Sequence, residues 1–239
     1  MSAAVWLPDV LSDAFRGVRG FQVDTVDGWR TRSAKSTSFE PRGVINHHTG
    51  KGSYANLLQF MTTGSKIAPL CNVATSRPHS IKGIESVRIT VCAAGRANHA
   101  GKGSLPWTGT DGGNRHAIGI ESQNTGSQPW PGQQVEAIRI ATAAVLRHLK
   151  VDVSRMADHK TYAPNRKVDR DGVDLERERA AVRAIIENGA QPPRTHTVVQ
   201  GDTLFAIGQR FGVQAEEIAR INGIEDPRRL RIGQVLKIP

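Results

Sequence analysis

The chain has 239 residues, of which 38% are hydrophobic and 23% are charged, and its formal net charge is +10. This length suits one large domain or two unequal ones, and the composition argues against wholesale disorder. No apolar run reaches the roughly 18 residues of a membrane span, so we expect no membrane insertion. The two cysteines exclude a disulfide-rich scaffold. We expect Cys71 and Cys92 to be small core residues, although a bridge between them stays open.

The basic charge favours a polyanionic partner, for which nucleic acid and an anionic bacterial wall are the two candidates. The basic residues form no dense tract and aromatic residues make up only 5% of the chain, so we expect no nucleic-acid partner. The N-terminus lacks a basic segment followed by an apolar core, and we therefore expect no secretory signal peptide.

The predicted elements of the first part of the chain mix helices with strands. The first forty residues give weak signals, and no element is assigned there. Further along, the pattern predicts a helix capped by Ser53, strands at 87–91 and 118–120, a helix over 133–150 and a last helix capped by Asp174. Strands that alternate with helices predict an α/β fold, in which helices cover a sheet.

A composition break near residue 190 divides the chain. The last predicted helix ends at Asn188-Gly189, and a proline-bearing stretch follows. We predict a larger domain at 1–189, a linker at 190–194 and a smaller domain at 195–239. The smaller block predicts the order strand, helix, helix, strand.

Histidines provide the first candidate site residues. His47 and His48 end an apolar run that opens into a glycine-containing loop, where a strand could hold a metal ligand rigidly. Because adjacent strand residues point to opposite faces, one histidine of the pair can face a given site. A solvated surface pair is the alternative.

A second group of candidates lies between His159 and Asp169, which a proline-containing loop could fold onto one point. A neutral imidazole and a carboxylate are good zinc ligands, and three protein ligands leave a fourth position for water. Lys167 would face the same side as Asp169 in an extended segment, where its ammonium could stabilise an oxyanion. An ordinary basic loop is the alternative.

Two further residues complete the candidate site. Glu121 follows Ile118 and Ile120 with the opposite strand parity, and a carboxylate at a strand end near a metal suits a general base. A solvent-facing glutamate is the alternative. His99 lies in a glycine-rich loop, where it could orient a substrate.

These motifs together resemble those of the zinc-dependent N-acetylmuramoyl-L-alanine amidases that share a fold with peptidoglycan recognition proteins. The matching elements, in chain order, are His47-His48-Thr49, His99-Ala100-Gly101, Ile118-Gly119-Ile120-Glu121 and the segment from His159 to Asp169. The resemblance covers most of residues 40–187 and implies a mixed central β-sheet flanked by helices.

The resemblance also implies the roles of the matching residues. The zinc ligands would be His47, His159 and Asp169. Glu121 would be the catalytic base and Lys167 the oxyanion stabiliser. Substrate contacts are expected from His48 and His99.

The smaller block resembles a LysM module, a compact βααβ domain. The opening motif runs from Val199 to Ile207, and Asn222 and the segment 230–239 fit the rest. The resemblance implies binding of N-acetylglucosamine-containing glycan, here peptidoglycan. The expected binding residues lie in two loops: Gly201, Asp202, Thr203, Asn222 and Gly223. Turn and cap chemistry is the alternative for these residues.

The two resemblances imply a peptidoglycan hydrolase that cleaves the amide between N-acetylmuramic acid and L-alanine. A wall-degrading block joined to a wall-binding block suggests a phage endolysin that stays in the host cytoplasm until its release. A bacterial autolysin with the same chemistry and a non-catalytic peptidoglycan-binding protein are the alternatives.

Overall fold

The computed structural model of the chain describes residues 3–34, 38–81, 84–188, 194–211 and 213–238. They divide into two compact units, of which the larger contains the helix Leu175–Asn188 and the smaller contains the strand Arg194–Thr197. The predicted linker at 190–194 lies, apart from its last residue, outside the described residues. The domain boundaries therefore stay predictions. None of the helices in the described segments combines the length and the apolar composition that a bilayer crossing requires.

The bounds of the regular elements in the larger unit are as follows. Its strands are β1 (Phe21–Thr25), β2 (Val44–His48), β3 (Val73–Thr75), β4 (His79–Ile81), β5 (Ile84–Val91), β6 (Ser104–Leu105), β7 (Gly109–Thr110), β8 (Ile118–Ser122) and β9 (Met156–Asp158). Its helices are α1 (Leu7–Ala14), α2 (Tyr54–Gln59), α3 (Gly113–His116), α4 (Gly132–Leu149), α5 (His159–Tyr162) and α6 (Leu175–Asn188).

A mixed β-sheet forms the centre of the larger unit. Among the described residues it has seven strands, six of them in the order β1-β5-β3-β8-β2-β9, and β4 pairs with β5 off this path. Strand β3 runs antiparallel to β5, whereas the other neighbours along the path are parallel. The prediction of an α/β fold with a mixed sheet and flanking helices is confirmed.

Helix α4 covers one face of this sheet and also packs against α1 and α6. Its apolar residues recur at helical spacing, and it matches the helix predicted over 133–150 to within one residue at each end. On strand β2, Asn46 faces α4, since the Thr142 hydroxyl lies 3.5 Å from its Oδ1. Ile45 and His47 therefore point to the opposite face, where Ile45 packs against Tyr162.

Two segments show how local signals relate to the structure. The Ser53 hydroxyl accepts a hydrogen bond from Asn56 N, so the predicted cap forms. Regular α-helix ends at Gln59, and a π-helical turn continues it over Phe60–Gly64. The first forty residues, which carried no prediction, contribute α1 and the edge strand β1.

Cys71 and Cys92 are both buried and free. They belong to one small apolar cluster with Met61 and Ala74, as expected of core residues. The structure therefore joins them by no bridge.

The smaller unit has the predicted order of elements. It comprises β10 (Arg194–Thr197), α7 (Leu204–Phe211), α8 (Ala215–Ile221) and β11 (Val235–Ile238). Strands β10 and β11 pair antiparallel. The unit has an apolar core of its own, formed by Val198, Leu204, Ile207, Ile218, Leu236 and Ile238.

Candidate metal centre

Three neighbouring parallel strands carry candidate site residues at their carboxyl ends. Strand β2 lies between β8 and β9, and His47 pairs in register with Glu121. On the other side Asn46 pairs with Asp158, so His159 is the first residue beyond the end of β9. Because the strands are parallel, all three carboxyl ends lie at one edge of the sheet, which is where α/β folds place their sites.

The loop after α5 returns Asp169 to this edge. The backbone N–H groups of Arg166 and Lys167 both donate to Ala163 O, at 3.0 and 2.9 Å, and close a tight turn. Lys160 N then donates to Asp169 O at 2.6 Å. These backbone bonds hold the loop against the start of α5 and aim the carboxylate of Asp169 at the two histidines.

His47, His159 and Asp169 form a compact set of potential metal ligands. The two Nδ1 atoms are 2.8 Å apart, and Asp169 Oδ2 lies 2.9 Å from His159 Nδ1 and 3.3 Å from His47 Nδ1. Two atoms bound at about 2.1 Å to one tetrahedral zinc ion are about 3.4 Å apart, so these spacings match a shared ion after small movements of the side chains. Two imidazoles and a carboxylate are also the donor types that zinc prefers in hydrolytic sites.

Burial and hydrogen bonding set the charges of this cluster. Burial lowers the pKa of His47 to about 4, so its ring is neutral at neutral pH, as a metal ligand must be. Burial alone would raise the pKa of Asp169. The hydrogen bond with His159 and the close approach of His47 outweigh it and hold that pKa well below its usual range.

Glu121 lies beside the cluster without belonging to it. Its Oε1 is 3.9 Å from His47 Nδ1, and its side chain is 14% exposed. Its Oε2 is buried and has no hydrogen-bond partner within the described parts of the chain. Burial, reinforced by the charge of Asp169, raises the pKa of Glu121 well above its usual value. A carboxylate with a raised pKa is a stronger proton acceptor than an ordinary glutamate.

The outer ring nitrogens of both histidines have partners. His159 Nε2 lies 2.8 Å from Ala100 O. His47 Nε2 lies 2.9 Å from Nδ1 of His99, whose own Nε2 is 3.2 Å from Ala117 O. Burial holds the pKa of His99 well below its usual value, so this ring too is neutral.

A pocket of about 400 Å³ opens onto the cluster. Its apolar wall comes from α2 and the following turn, and its polar wall carries the predicted site residues His48, His99, Glu121, His159, Lys167 and Asp169. His48 is half-buried, and its Nδ1 has no hydrogen-bond partner among the described residues. Burial lowers the pKa of His48.

Two groups of pocket residues carried no functional prediction. Leu57, Phe60 and Met61 form part of the apolar wall, and their helical spacing reads as a core face in the sequence. The exposed fraction of Phe60, 53%, distinguishes it from a core residue. Arg166 also lines the pocket and donates from its Nη2 to Ala100 O at 2.6 Å. The sequence signal that could have identified Arg166 as a pocket residue was its position between Asn165 and Lys167 in the motif.

In the smaller unit, the predicted glycan-binding residues make turn and cap contacts. Thr203 Oγ1 accepts from Ala206 N at the start of α7, and Asp202 Oδ2 accepts from Val199 N. Asn222 bonds the main chain of Lys237 through both ends of its side-chain amide. Gly201 and Gly223 have φ of 89° and 63°, in the left-handed region that favours glycine. Their role in glycan binding stays a prediction.

The fold and the site together define an α/β domain with a buried His-His-Asp cluster, which could hold a metal ion, at the carboxyl edge of its sheet. Two family models match the two parts of the chain. The N-acetylmuramoyl-L-alanine amidase model matches residues 37–172, more than half of the chain, and the LysM domain model matches residues 196–239. The chain therefore belongs to the N-acetylmuramoyl-L-alanine amidase family and carries a LysM domain.

Two curated relatives come from Bacillus subtilis (strain 168). The N-acetylmuramoyl-L-alanine amidase XlyA is 31% identical over 133 residues, which cover 54% of this chain and 42% of XlyA. XlyB, named as the same kind of amidase, is 29% identical over 145 residues, covering 55% of this chain and 45% of XlyB. The chain thus spans less than half the length of these relatives. The solved catalytic domain of XlyA aligns with a TM-score of 0.45 and 14% identity, covering 68% of this chain and 98% of that domain.

Proposed function

We propose that this chain is a zinc-dependent peptidoglycan hydrolase that cleaves the amide between the lactyl group of N-acetylmuramic acid and L-alanine. The observation that carries the proposal is the convergence of His47, His159 and Asp169 beside Glu121 at one pocket. Family membership supports the choice of bond, and the donor set supports the metal chemistry.

His47, His159 and Asp169 would hold the zinc ion, with a fourth position left for water. When bound, zinc lowers the pKa of its water toward about 7 and polarises the scissile carbonyl. The low pKa values of His47 and Asp169 support this assignment, because both side chains are then in their metal-binding forms without prior loss of a proton.

Glu121 would move the protons. Its raised pKa favours a carboxylate that takes a proton from the attacking water and then delivers it to the leaving amine of L-alanine. Lys167 lines the same pocket, and its ammonium would stabilise negative charge on the carbonyl oxygen.

The pocket walls would bind the muropeptide. His48 is the expected polar contact on one side. Leu57, Phe60 and Met61 offer apolar surface on the other, which suits the alanine methyl and the aliphatic parts of a stem peptide. The expected substrate contact of His99 is not proposed, because both of its ring nitrogens have partners within the protein.

The LysM domain would direct the enzyme to its insoluble substrate by binding N-acetylglucosamine-containing glycan. The expected contacts are Gly201, Asp202 and Thr203 in one loop and Asn222 and Gly223 in the other. A tethered glycan-binding module raises the local concentration of the catalytic domain at the wall without new contacts at the active site.

We infer further that the biological role is that of a phage endolysin, held in the host cytoplasm until release. The pairing of a wall-degrading domain with a wall-binding domain supports this role. Added to intact cells of a susceptible host whose outer barrier has been opened, the protein should cause lysis, and the Glu121→Gln variant should not. Equal lysis by both would contradict the role.

The direct test of the reaction uses a defined muropeptide, N-acetylmuramoyl-L-alanyl-D-isoglutamine or a longer stem. Mass spectrometry should find free N-acetylmuramic acid and a peptide with a new L-alanine amino terminus. Binding without cleavage would favour a recognition protein, and cleavage within the stem would reassign the bond.

A further inference from the structure

His99 is buried directly behind one of the proposed zinc ligands. Its Nδ1 lies 2.9 Å from His47 Nε2, and its Nε2 lies 3.2 Å from the carbonyl oxygen of Ala117. The residue is 7% exposed. Both ring nitrogens therefore have partners within the protein.

The carbonyl at one end of this chain of contacts fixes the position of each proton. A carbonyl oxygen can only accept, so His99 Nε2 carries the hydrogen that points at Ala117 O. The neutral ring then presents a bare Nδ1, which can only accept from His47 Nε2. His47 is consequently protonated on Nε2 and bare on Nδ1, the atom that faces His159 and Asp169.

His159 has acceptor oxygens at both ends of its ring. Its Nε2 lies 2.8 Å from Ala100 O and its Nδ1 lies 2.9 Å from Asp169 Oδ2, so Ala100 alone does not fix its tautomer. Ala100 directly follows His99 in the chain. One short segment thus contacts both histidines, through a backbone carbonyl at His159 and through a side chain at His47, and the side chain sets the tautomer of His47.

Gly119 provides the space for the His99 ring. A Cβ at this position of β8 would lie 2.5 Å from His99 Cγ and 2.8 Å from its Nδ1. Since real Cβ atoms are not found that close to a ring, any side chain at 119 would displace His99. The glycine and the histidine form one fitted pair.

We propose that His99 is a positioning residue for the metal, which locks His47 in the tautomer and orientation that zinc requires. The proposal rests on the proposed function in taking His47 as a zinc ligand. Partners behind a metal-bound histidine raise metal affinity by fixing the ring, and their loss typically costs about 10- to 100-fold.

A matched pair of variants tests this proposal. His99→Asn retains an oxygen acceptor near the position of Nδ1, whereas His99→Leu has nearly the same shape and no acceptor. Zinc affinity measured by chelator competition should fall about 10- to 100-fold in His99→Leu and should stay near the original value in His99→Asn. Equal affinity in His99→Leu and the unchanged chain would overturn the proposal. So would a raised KM with unchanged zinc affinity, since that result marks a substrate contact.

A spectroscopic readout is independent of zinc and of activity. Long-range ¹H–¹⁵N NMR of the metal-free full chain should show His47 protonated on Nε2, with the same result in His99→Asn. His99→Leu and Gly119→Ala should both show a mixture of tautomers. A proton on Nδ1 of His47 in the unchanged chain would refute the proposal even if His99→Leu fails to fold.

The outcomes also separate this proposal from the proposed function. Zinc binding that depends on His47 and His99, without any muropeptide cleavage, would retain the positioning role and reject the amidase activity. Full cleavage together with zinc binding that does not depend on His99 would support the amidase activity and reject the positioning role.

Discussion

Glu121 and Asp169 are two carboxylates of one site whose surroundings shift their pKa values in opposite directions. Burial and the neighbouring negative charge raise the pKa of Glu121. For Asp169 burial acts in the same direction, but the hydrogen bond with His159 and the close approach of His47 lower its pKa overall. Such a separation assigns different roles to paired carboxylates. Asp169 is suited to stay charged and bind a cation, and Glu121 to exchange a proton.

Replacing Glu121 with glutamine tests that division at a single residue. The amide has the same size but cannot take a proton, so we expect muropeptide turnover to fall about 100- to 10,000-fold. The zinc content should stay at the level of the unchanged chain, because Glu121 lies outside the proposed set of zinc ligands.

Asp169→Asn is the matched control for Glu121→Gln. The same chemical change at a ligand should remove zinc and turnover together. Unchanged turnover in Glu121→Gln would remove this residue from the mechanism. Loss of zinc in both variants would show that Glu121, like Asp169, is needed for zinc binding.

The motif residues could be placed from the sequence because their spacing carries the chemistry. His159 and Asp169 are close in the chain, and the strand parity of Glu121 was visible from Ile118 and Ile120. His99 could be identified as a site residue, but its contact with His47 could not. That contact joins residues 52 positions apart and depends on the space left by Gly119.

At the scale of elements, a buried ion pair joins the two segments that carry His159 and Asp169. Arg170 Nε donates to Asp158 Oδ1 at 2.7 Å, and both side chains are almost fully buried. Asp158 ends β9 just before His159, and Arg170 directly follows Asp169. Burial raises the pKa of Asp158 even beside Arg170. The pair holds the ligand-bearing segments together at a high cost of desolvation.

We expect Arg170→Met to lower the free energy of unfolding by about 3–5 kcal/mol, because it leaves the charge of Asp158 buried without its partner. The double variant Asp158→Leu/Arg170→Met removes both charges and should recover much of this loss. Thermal and denaturant unfolding of the unchanged chain, Arg170→Met, Asp158→Leu and the double variant measures the coupling. A double variant as unstable as the sum of both single changes would contradict a role for the pair.

A carboxylate also holds the first loop of the smaller unit. Asp202 Oδ2 accepts from Val199 N at 2.9 Å and contacts His196 Nε2. The bond from the Val199 N–H, followed by that from His196, lowers the pKa of Asp202. An acid with a lowered pKa in the folded state stabilises that state above its unfolded pKa, about 3.9 for aspartate, and loses the effect as the pH falls through the folded value.

The Val199 amide signal in NMR reports directly on this loop. We expect its chemical shift to titrate with a midpoint below about pH 3.9, and glycan binding to weaken over the same range. In Asp202→Asn this titration should disappear while the amide oxygen can still accept the bond. A midpoint above about pH 4 would contradict the stabilising contact.

The elements differ in how far their sequences determine them. Helix α4 carries a long apolar pattern and could be predicted almost to its ends, where Lys150 takes a left-handed backbone conformation with φ of 54°. Strand β1 could not be predicted, because its stability comes from parallel pairing with β5 more than sixty residues away. Strand β3 has three residues, too few for a periodic pattern.

At the scale of the whole molecule, each of the two units has its own apolar core. The core of the smaller unit is formed within residues 198–238. We therefore expect removal of residues 195–239 to leave cleavage of a soluble muropeptide unchanged. Binding to purified peptidoglycan in a sedimentation assay should weaken markedly, because the tethered module no longer raises the local concentration. Equal sedimentation of the shortened chain would refute the targeting role.

The central claim is that a zinc ion at His47, His159 and Asp169 is required for amide cleavage. The most direct test measures the release of L-alanine amino termini from purified peptidoglycan by chelator-treated protein, as zinc is added back. Release should return in proportion to bound zinc and reach its maximum at about one ion per chain. Asp169→Asn should stay inactive throughout. Full release by the zinc-free protein would contradict the account.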